Sequence, residues 1–261
     1  MSIISNISWR SFAVWRRNKD VFLTTWKTNF LPPFLEPLLY LVAMGLGFGV
    51  LIGQVTYEGR FVDYIKFLAP GLIAISIMYS AFFECTYGSY VRMHYQKTFD
   101  AIIATPLTIE DVITGEILWG ATKSLVNSTI VLGVVVVAGL ADFPGIIFVP
   151  FIAFLSGLMF ASVAMIFTAI VPNIDSFNYP FFLLITPMFL FSGTFFPLSV
   201  LPNWGQTMAQ ILPLTHTTTI VRDLSFNIYP PMELVGILYI AVLTVMTFYI
   251  SVYMMKRRLI N

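Results

Sequence analysis

Three ionisable residues, Glu36, Glu84 and Lys123, stand inside otherwise apolar stretches and are the first candidates for chemistry. A charge inside a bilayer is expensive unless it pairs with another or faces a polar cavity. At similar depth, two carboxylates and an ammonium read in one of two ways. They form an ion pair that fixes helix packing, with Lys123 also able to snorkel, or they make a polar patch at the mouth of a substrate route. Catalysis finds little support. His94 and His216 are expected on opposite sides of the membrane, so they cannot share a metal or a proton relay. The chain has no HExxH, no GxSxG and no acidic cluster for a divalent cation, and neither a catalytic residue nor a metal site is expected. A phosphate-loop-like spacing from Gly115 to Gly120, followed by Ala121-Thr122-Lys123-Ser124, fails because lysine does not follow the second glycine and the segment enters a membrane helix. The chain is not expected to bind nucleotide by itself. A lone cysteine, Cys85, cannot form an internal disulfide.

Composition dictates what must position these groups. The 261 residues are 58% hydrophobic and 10% charged, against roughly 25% charged in soluble domains, which excludes a soluble fold. A net charge of +1 gives no balance that would attract nucleic acid. A bilayer core needs about 20 mostly apolar helical residues. Six windows qualify: Leu31 to Ile52, Phe67 to Tyr87, Ile117 to Leu140, Ile146 to Val171, Pro180 to Leu201 and Met232 to Met255. They are continuous apolar runs without period-two alternation, so the expected fold is an all-α polytopic membrane protein. Arg10, Arg16, Arg17, Lys19, Lys27, Arg92, Lys97, Lys256, Arg257 and Arg258 fall on the side of the N-terminus, and Arg60, Lys66 and Arg222 on the other. The positive-inside rule then puts both termini in the cytoplasm. With about 1.5 Å of rise per residue, Glu36, Glu84 and Lys123 come within about 10 Å of the cytoplasmic boundary. Met1 to Phe30 carries scattered basic residues and no short apolar core, so it reads as a retained segment rather than a cleavable signal. Residues 1–261 read as one membrane domain without repeat or linker.

Three segments outside the spans are patterned. Within residues 1–30, Ile4 to Phe22 mixes Trp9, Phe12 and Trp15 with Arg10, Arg16 and Arg17, as expected of a helix lying on the membrane surface that either anchors the first span or gathers an anionic amphiphile. Within 88–116, Tyr95, Phe99, Ile102 and Ile103 recur at helical spacing with Gln96, Lys97 and Asp100 facing away. Thr105-Pro106-Leu107 breaks that helix, and Thr108 with Asp111 makes a capping-box start for the next. The result is an elbow able to act as a lever. Within 202–231, Trp204, Met208, Ile211 and Leu212 share one helical face, and after Pro213 so do Thr217, Ile220, Val221 and Leu224. Two short helices there should re-enter the outer leaflet and cap a pathway. Pro32, Pro33, Pro37, Pro187 and Pro197 are expected to bend or loosen the first and fifth spans. Phe181, Phe189 and Phe195 belong to a Phe cluster in the fifth span that would serve as a slide for an apolar chain.

These residues carry a resemblance. Glu36-Pro37-Leu38-Leu39-Tyr40-Leu41, Phe83-Glu84, Arg92-Met93, Gln96-Lys97-Thr98, Leu107-Thr108 with Asp111, Gly115-Glu116 and Ala121-Thr122-Lys123 resemble the permease of type-2 ABC exporters. So do Phe160-Ala161-Ser162, Ile185-Thr186-Pro187-Met188, Phe191-Ser192-Gly193, Phe196-Pro197, Leu201-Pro202 and Leu212-Pro213-Leu214 with His216. Within that family the chain is most similar to the nodulation-factor exporter permeases, which pass lipo-chitin oligosaccharides outward. The resemblance covers nearly the whole chain.

It implies a permease that dimerises with a second copy of itself in the bacterial inner membrane and docks a separate ATP-binding subunit. ATP and Mg would be held by that partner, and this chain would bind no cofactor. The elbow matches the family's coupling helix, which gives Arg92, His94, Gln96, Lys97, Thr98 and Asp100 as docking residues. Glu36, Glu84, Lys123, Phe181, Phe189 and Phe195 would line the route of an amphiphilic substrate entering from the inner leaflet. A proton-driven carrier or channel and a membrane-embedded lipid-modifying enzyme are the competing classes.

Overall fold

The computed structural model describes residues 6–229 and 232–260, except for the side chains of residues 27–34, 36, 232 and 233. Helix α1 (Ser11–Thr24) ends in a turn at Thr25, and α2 (Trp26–Ile52) follows directly. Helix α2 stays helical through Pro32, Pro33 and Pro37. A hairpin of β1 (Gln54–Tyr57) and β2 (Arg60–Asp63) comes next, which the sequence reading did not anticipate. Its turn residues Glu58 and Gly59 both have positive φ, at 47° and 73°, as a two-residue turn matched to strand twist requires.

Helix α3 (Tyr64–Phe83) does not stop near Tyr87 as expected. It runs on through two π-helical turns, Glu84–Gly88 and Val91–Tyr95, to make a continuous rod Tyr64–Tyr95. Tyr95 therefore ends this rod, 61% exposed, rather than joining the face of Phe99, Ile102 and Ile103. A left-handed Lys97 (φ 54°) turns the chain into α4 (Thr98–Ile103). The Thr108 side chain and the Asp111 carboxylate then form a reciprocal capping box, which satisfies two orphan amides and starts α5 (Ile109–Val137).

Helix α6 (Val149–Ile170) is preceded by a 3₁₀ turn. The fifth apolar segment starts and ends earlier than expected: a helical run Ile174–Phe191 contains α7 (Asn178–Pro180), a π turn Phe181–Ile185 and α8 (Thr186–Phe191). Pro187 has no N–H to give the preceding turn, and the helix widens to a π turn just before it. Residues Ser192 to Pro197 are not helical, so Phe195 sits in a loop and not on the helix. Helices α9 (Asn203–Ile211) and α10 (Pro213–Ser225) bracket the break at Pro213 as the sequence suggested, and α11 (Met232–Ile260) closes the chain.

Among the described residues, five helical runs are long and apolar enough to cross a membrane: Tyr64–Tyr95, Ile109–Val137, Gly145–Ile170, Ile174–Phe191 and Leu234–Ile260. The described apolar part of α2, Pro37–Ile52, is shorter. Burial ranks the five: the best apolar window of the α3 rod is 78% buried, against 22% for that of α11. The rod is the axis against which α2, α5, α6 and α10 pack, and α11 lies outside α6 and α10. Small residues allow the close approach of α3, α5 and α6. A Cβ on Gly120 would meet Cys85 Sγ at 2.5 Å, and one on Gly157 would meet Ser124 Cβ at 3.0 Å. Such contacts hold membrane helices together through dispersion, since lipid offers no hydrophobic drive between them.

Candidate functional site: an ion chain beneath an aromatic cleft

The widened turns of α3 determine which charges meet. Two α-helical turns cover 7.2 residues, so a spacing of eight would rotate Arg92 away from Glu84. A π turn takes up the extra residue. Arg92 accordingly stacks below Glu84, its Nη2 2.8 Å from Glu84 Oε1 and 2.6 Å from Glu116 Oε2 on α5. Lys123 Nζ lies 2.7 Å from Glu84 Oε2, and Trp119 Nε1 donates to Glu84 Oε1 at 3.1 Å. Glu116 also accepts from Ser89 Oγ at 2.6 Å and from Asn18 Nδ2 on α1 at 2.7 Å. The result is one chain of contacts, Lys123–Glu84–Arg92–Glu116–Asn18, running from the middle of α5 to α1. Glu84 and Glu116 are buried, and every oxygen in the pair has a donor, the condition under which buried carboxylates are tolerated.

Helix α1 is fastened to the same end of the bundle. Ser8 N and Oγ donate to the Asp111 carboxylate, and Trp15 Nε1 donates to Thr122 Oγ1 at 2.8 Å. Gly115 makes room for it, because a Cβ there would lie 2.6 Å from Ser11 O and Val14 Cβ. One face of α1 is thus packed on α5, while Phe12 on α1 and Trp9 just before it stay exposed. Lys256 pairs with Glu110, and Arg258 donates to the Thr168 and Val171 carbonyls, which brings the end of α11 to this same basic end.

Above the ion chain lies a cleft of about 170 Å³ between α2, α3 and α5, with Pro37, Tyr40, Ser76, Tyr79, Phe83, Lys123 and Asn127 on its walls. Lys123 is therefore at once a wall of the cleft and the first link of the chain. Phe189 and Phe195 lie 5.0 Å apart by ring centroid. Tyr40 lies 5.9 Å from Phe189, Tyr79 lies 5.9 Å from Phe189, and Phe83 lies 5.7 Å from Phe181. The row continues through Tyr87, Phe177 and Tyr90 to His94 at the basic end. Phe181, Phe189 and Phe195 are thereby brought to one row with Glu84 and Lys123 at its side. The side chain of Glu36 lies outside the described residues.

Of the six residues assigned to docking, Arg92 turns inward to the carboxylates. His94, Gln96, Lys97 and Asp100 are exposed and Thr98 is half-buried around the start of α4. Lys97 and Asp100 lie 3.9 Å apart on the surface. Sequence reasoning missed Glu116, Trp119, Asn18 and Ser89. Glu116, Trp119 and Lys123 are spaced i, i+3, i+7, which puts them on one helical face, and that spacing was the signal available.

A second buried charge, at the opposite end, was also missed. Arg222 served only as a vote on orientation, yet it is 3% exposed. Its Nε donates to Phe67 O at 3.1 Å and its Nη2 to Gly193 O at 2.9 Å, and its guanidinium lies 3.8 Å from the Phe67 ring centroid. Next to it, Tyr57 of the hairpin donates to Asp223 Oδ1 at 2.6 Å. Burial pushes the Asp223 carboxyl up to about 6, against the opposing hydrogen bond from Tyr57 and the charge of Arg222. These contacts tie hairpin, α3, the loop after α8, and α10 into one unit.

The ABC-2 type transporter family matches residues 9–226. Nodulation protein J of Sinorhizobium fredii is 34% identical over 253 residues, covering 97% of this chain and 95% of that protein. Nodulation protein J of Rhizobium meliloti is 36% identical over 254 residues, covering 96% and 94%. The inner membrane transport permease YadH of Escherichia coli is 21% identical over 248 residues, covering 94% of each. Matched over nearly its full length, this helical chain belongs to the ABC-2 type transporter family of membrane permeases.

Proposed function

We propose that this chain is the membrane subunit of an ATP-driven exporter in the bacterial inner membrane. It works as a homodimer with a separate ATP-binding subunit that holds ATP and Mg, and it moves an amphiphile outward, a lipo-oligosaccharide or a lipid-linked glycan. One observation carries this reading: Lys123, in the wall of the aromatic cleft, is joined by three consecutive ion pairs and a hydrogen bond to Asn18 on α1, beside the exposed α4 elbow. A movement imposed on the elbow would reach the cleft through groups that cannot separate cheaply in a low dielectric. Binding of ATP by the partner shifts the permease only by its differential affinity for the two states. The elbow, with His94, Gln96, Lys97, Thr98 and Asp100, is the surface offered to that partner.

In this scheme six spans leave both termini in the cytoplasm. The substrate's acyl chain follows the Phe and Tyr row, because each CH₂ exposed to water costs about 0.8 kcal/mol. Trp204, Met208 and Ile211 are exposed along α9, which fits α9 and α10 dipping into the outer leaflet above the cleft. The largely apolar cleft would also suit a hydrophobic drug or a lipid. A proton-driven carrier is disfavoured, since Glu84 and Glu116 are both tied to cations and a proton would have to displace them.

The test is reconstitution with the cognate ATP-binding subunit, followed by a screen of lipids and glycolipids for stimulated hydrolysis and for their appearance in the opposite leaflet. Stimulation by a glycolipid supports the reading. Substrate movement driven by a pH gradient without ATP removes it.

A further inference from the structure

Where α1 meets the last turns of the α3 rod, a half-open space of about 370 Å³ lies between Arg17 and Asn18 on one side and Tyr87, Gly88, Arg92 and Gln96 on the other. It is separate from the aromatic cleft, and its charges do not cancel. Glu84 and Glu116 are surrounded by three cations, Lys123, Arg92 and Arg17, and only the first two of these make ion pairs with them. Arg17 donates to Asn18 Oδ1 at 3.0 Å and reaches Thr98 Oγ1 only at 3.5 Å, with no carboxylate partner among the described residues. Burial pulls its pKa below the ordinary arginine value, Glu116 raises it, and the nearby Arg92 lowers it further.

Arg92 uses Nε and Nη2 on the carboxylates and on Ser89, whereas its Nη1 has no hydrogen bond among the described residues. That nitrogen borders Gly88. A Cβ at Gly88 would stand 3.4 Å from Nη1 and 3.1 Å from Glu84 Oε1, so the glycine keeps the approach open. Gln96 adds a carboxamide and Tyr87 a hydroxyl to the same walls. Two guanidinium groups with donors to spare suit an anion with several acceptor oxygens, and the planar guanidinium fork matches the geometry of phosphate as it does that of carboxylate.

The surroundings favour an anion attached to a lipid. Tyr87 is also a member of the aromatic row, 5.7 Å from Phe83 and 5.1 Å from Phe177. An apolar path toward Phe181 therefore begins at the wall of the anion-receptive space. We propose that this space binds the phosphate-bearing headgroup of a membrane amphiphile and is the port at which it leaves the lipid. As an entry port, the site rests on the exporter reading; as a binding site it does not.

The test uses the purified full-length protein in detergent, without its ATPase, titrated with phosphatidylglycerol or with an uncharged monoglucosyl diacylglycerol and read by native mass spectrometry. Expected is retention of phosphatidylglycerol at least about tenfold tighter than the neutral glycolipid, lost in Arg17→Gln. The control is Arg16→Gln, which removes an equal charge from the exposed face of α1 and should bind as wild type does. Equal affinity for the two lipids, or unchanged binding by Arg17→Gln, overturns the proposal. Full displacement of the lipid by millimolar inorganic phosphate overturns the amphiphile in favour of a free anion. Failure here leaves ATP-driven transport untouched, and failure of transport leaves this binding measurement standing.

Discussion

Lys123 Nζ and Glu84 Oε2 meet at 2.7 Å across the α3–α5 interface, at the point where the aromatic cleft ends and the ion chain begins. Neither residue is disposable alone. Removing one member of a buried pair leaves an uncompensated charge, which costs about 3–5 kcal/mol, whereas removing both is often close to neutral. Glu84→Ala should therefore lower the melting temperature in detergent sharply, and Glu84→Ala with Lys123→Met should recover most of the loss. A single variant that melts like the wild type would show that the pair does not hold the helices.

Gly115 controls how closely α1 sits on α5. A side chain at this position must push against the Ser11 carbonyl and Val14, and overpacking of this kind costs about 1–3 kcal/mol. Gly115→Val should destabilise modestly but uncouple strongly, since it lifts Asn18 from Glu116. The check is ATP hydrolysis by the assembled transporter, which should persist while substrate-stimulated hydrolysis falls. Normal stimulation in this variant would mean that the α1 contact carries no signal.

Much of this arrangement was legible in the sequence, and the places where it was not share a cause. Apolar run length exposed the long helices, and the Thr108–Asp111 capping box was read correctly from four residues, because both signals are local. Position along α3 failed for a tertiary reason. The rod continues past Tyr87 because Glu84 and Arg92 find Glu116 and Lys123 on another helix, and π turns that accommodate those contacts have no strong propensity signature. Arg222 was used only to orient the spans, because nothing local tells that Phe67, Gly193 and Thr194 turn their carbonyls toward it. The β-hairpin was passed over because a four-residue strand pair is too short for alternation to be distinctive.

Lys97 and Asp100 are both exposed and 3.9 Å apart, so their pairing adds less than about 1 kcal/mol to the fold. The double charge reversal, Lys97→Glu with Asp100→Lys, should leave melting unchanged yet release the ATP-binding subunit during copurification. Retention of the partner at wild-type levels would move the docking surface elsewhere.

Phe189 touches three other rings, those of Tyr40, Tyr79 and Phe195. Each such pair contributes about 0.5–1.5 kcal/mol, and an acyl chain lying along the row would lose contacts when the central ring goes. Phe189→Ala should raise the amphiphile concentration for half-maximal ATPase stimulation about tenfold or more, with the maximal rate less affected. The penalty should grow with acyl chain length. A penalty independent of chain length would mean that the row packs helices without touching cargo.

Asp223 makes the opposite end sensitive to pH. Its folded value of about 6 lies above the ordinary aspartate value of 3.8, so the folded state binds the proton more tightly than the unfolded chain does. Its contribution is then most favourable below the unfolded value, declines as pH rises between the two, and is fully lost above about 6. The span corresponds to at most about 3 kcal/mol. Asp223→Asn keeps an acceptor for the Tyr57 hydroxyl but cannot ionise. Relative to that variant, the wild type should melt lower at pH 7.5 than at pH 4.5. Parallel melting curves across this range would place the titrating charge on some other group and leave the Tyr57 contact as a purely structural bond.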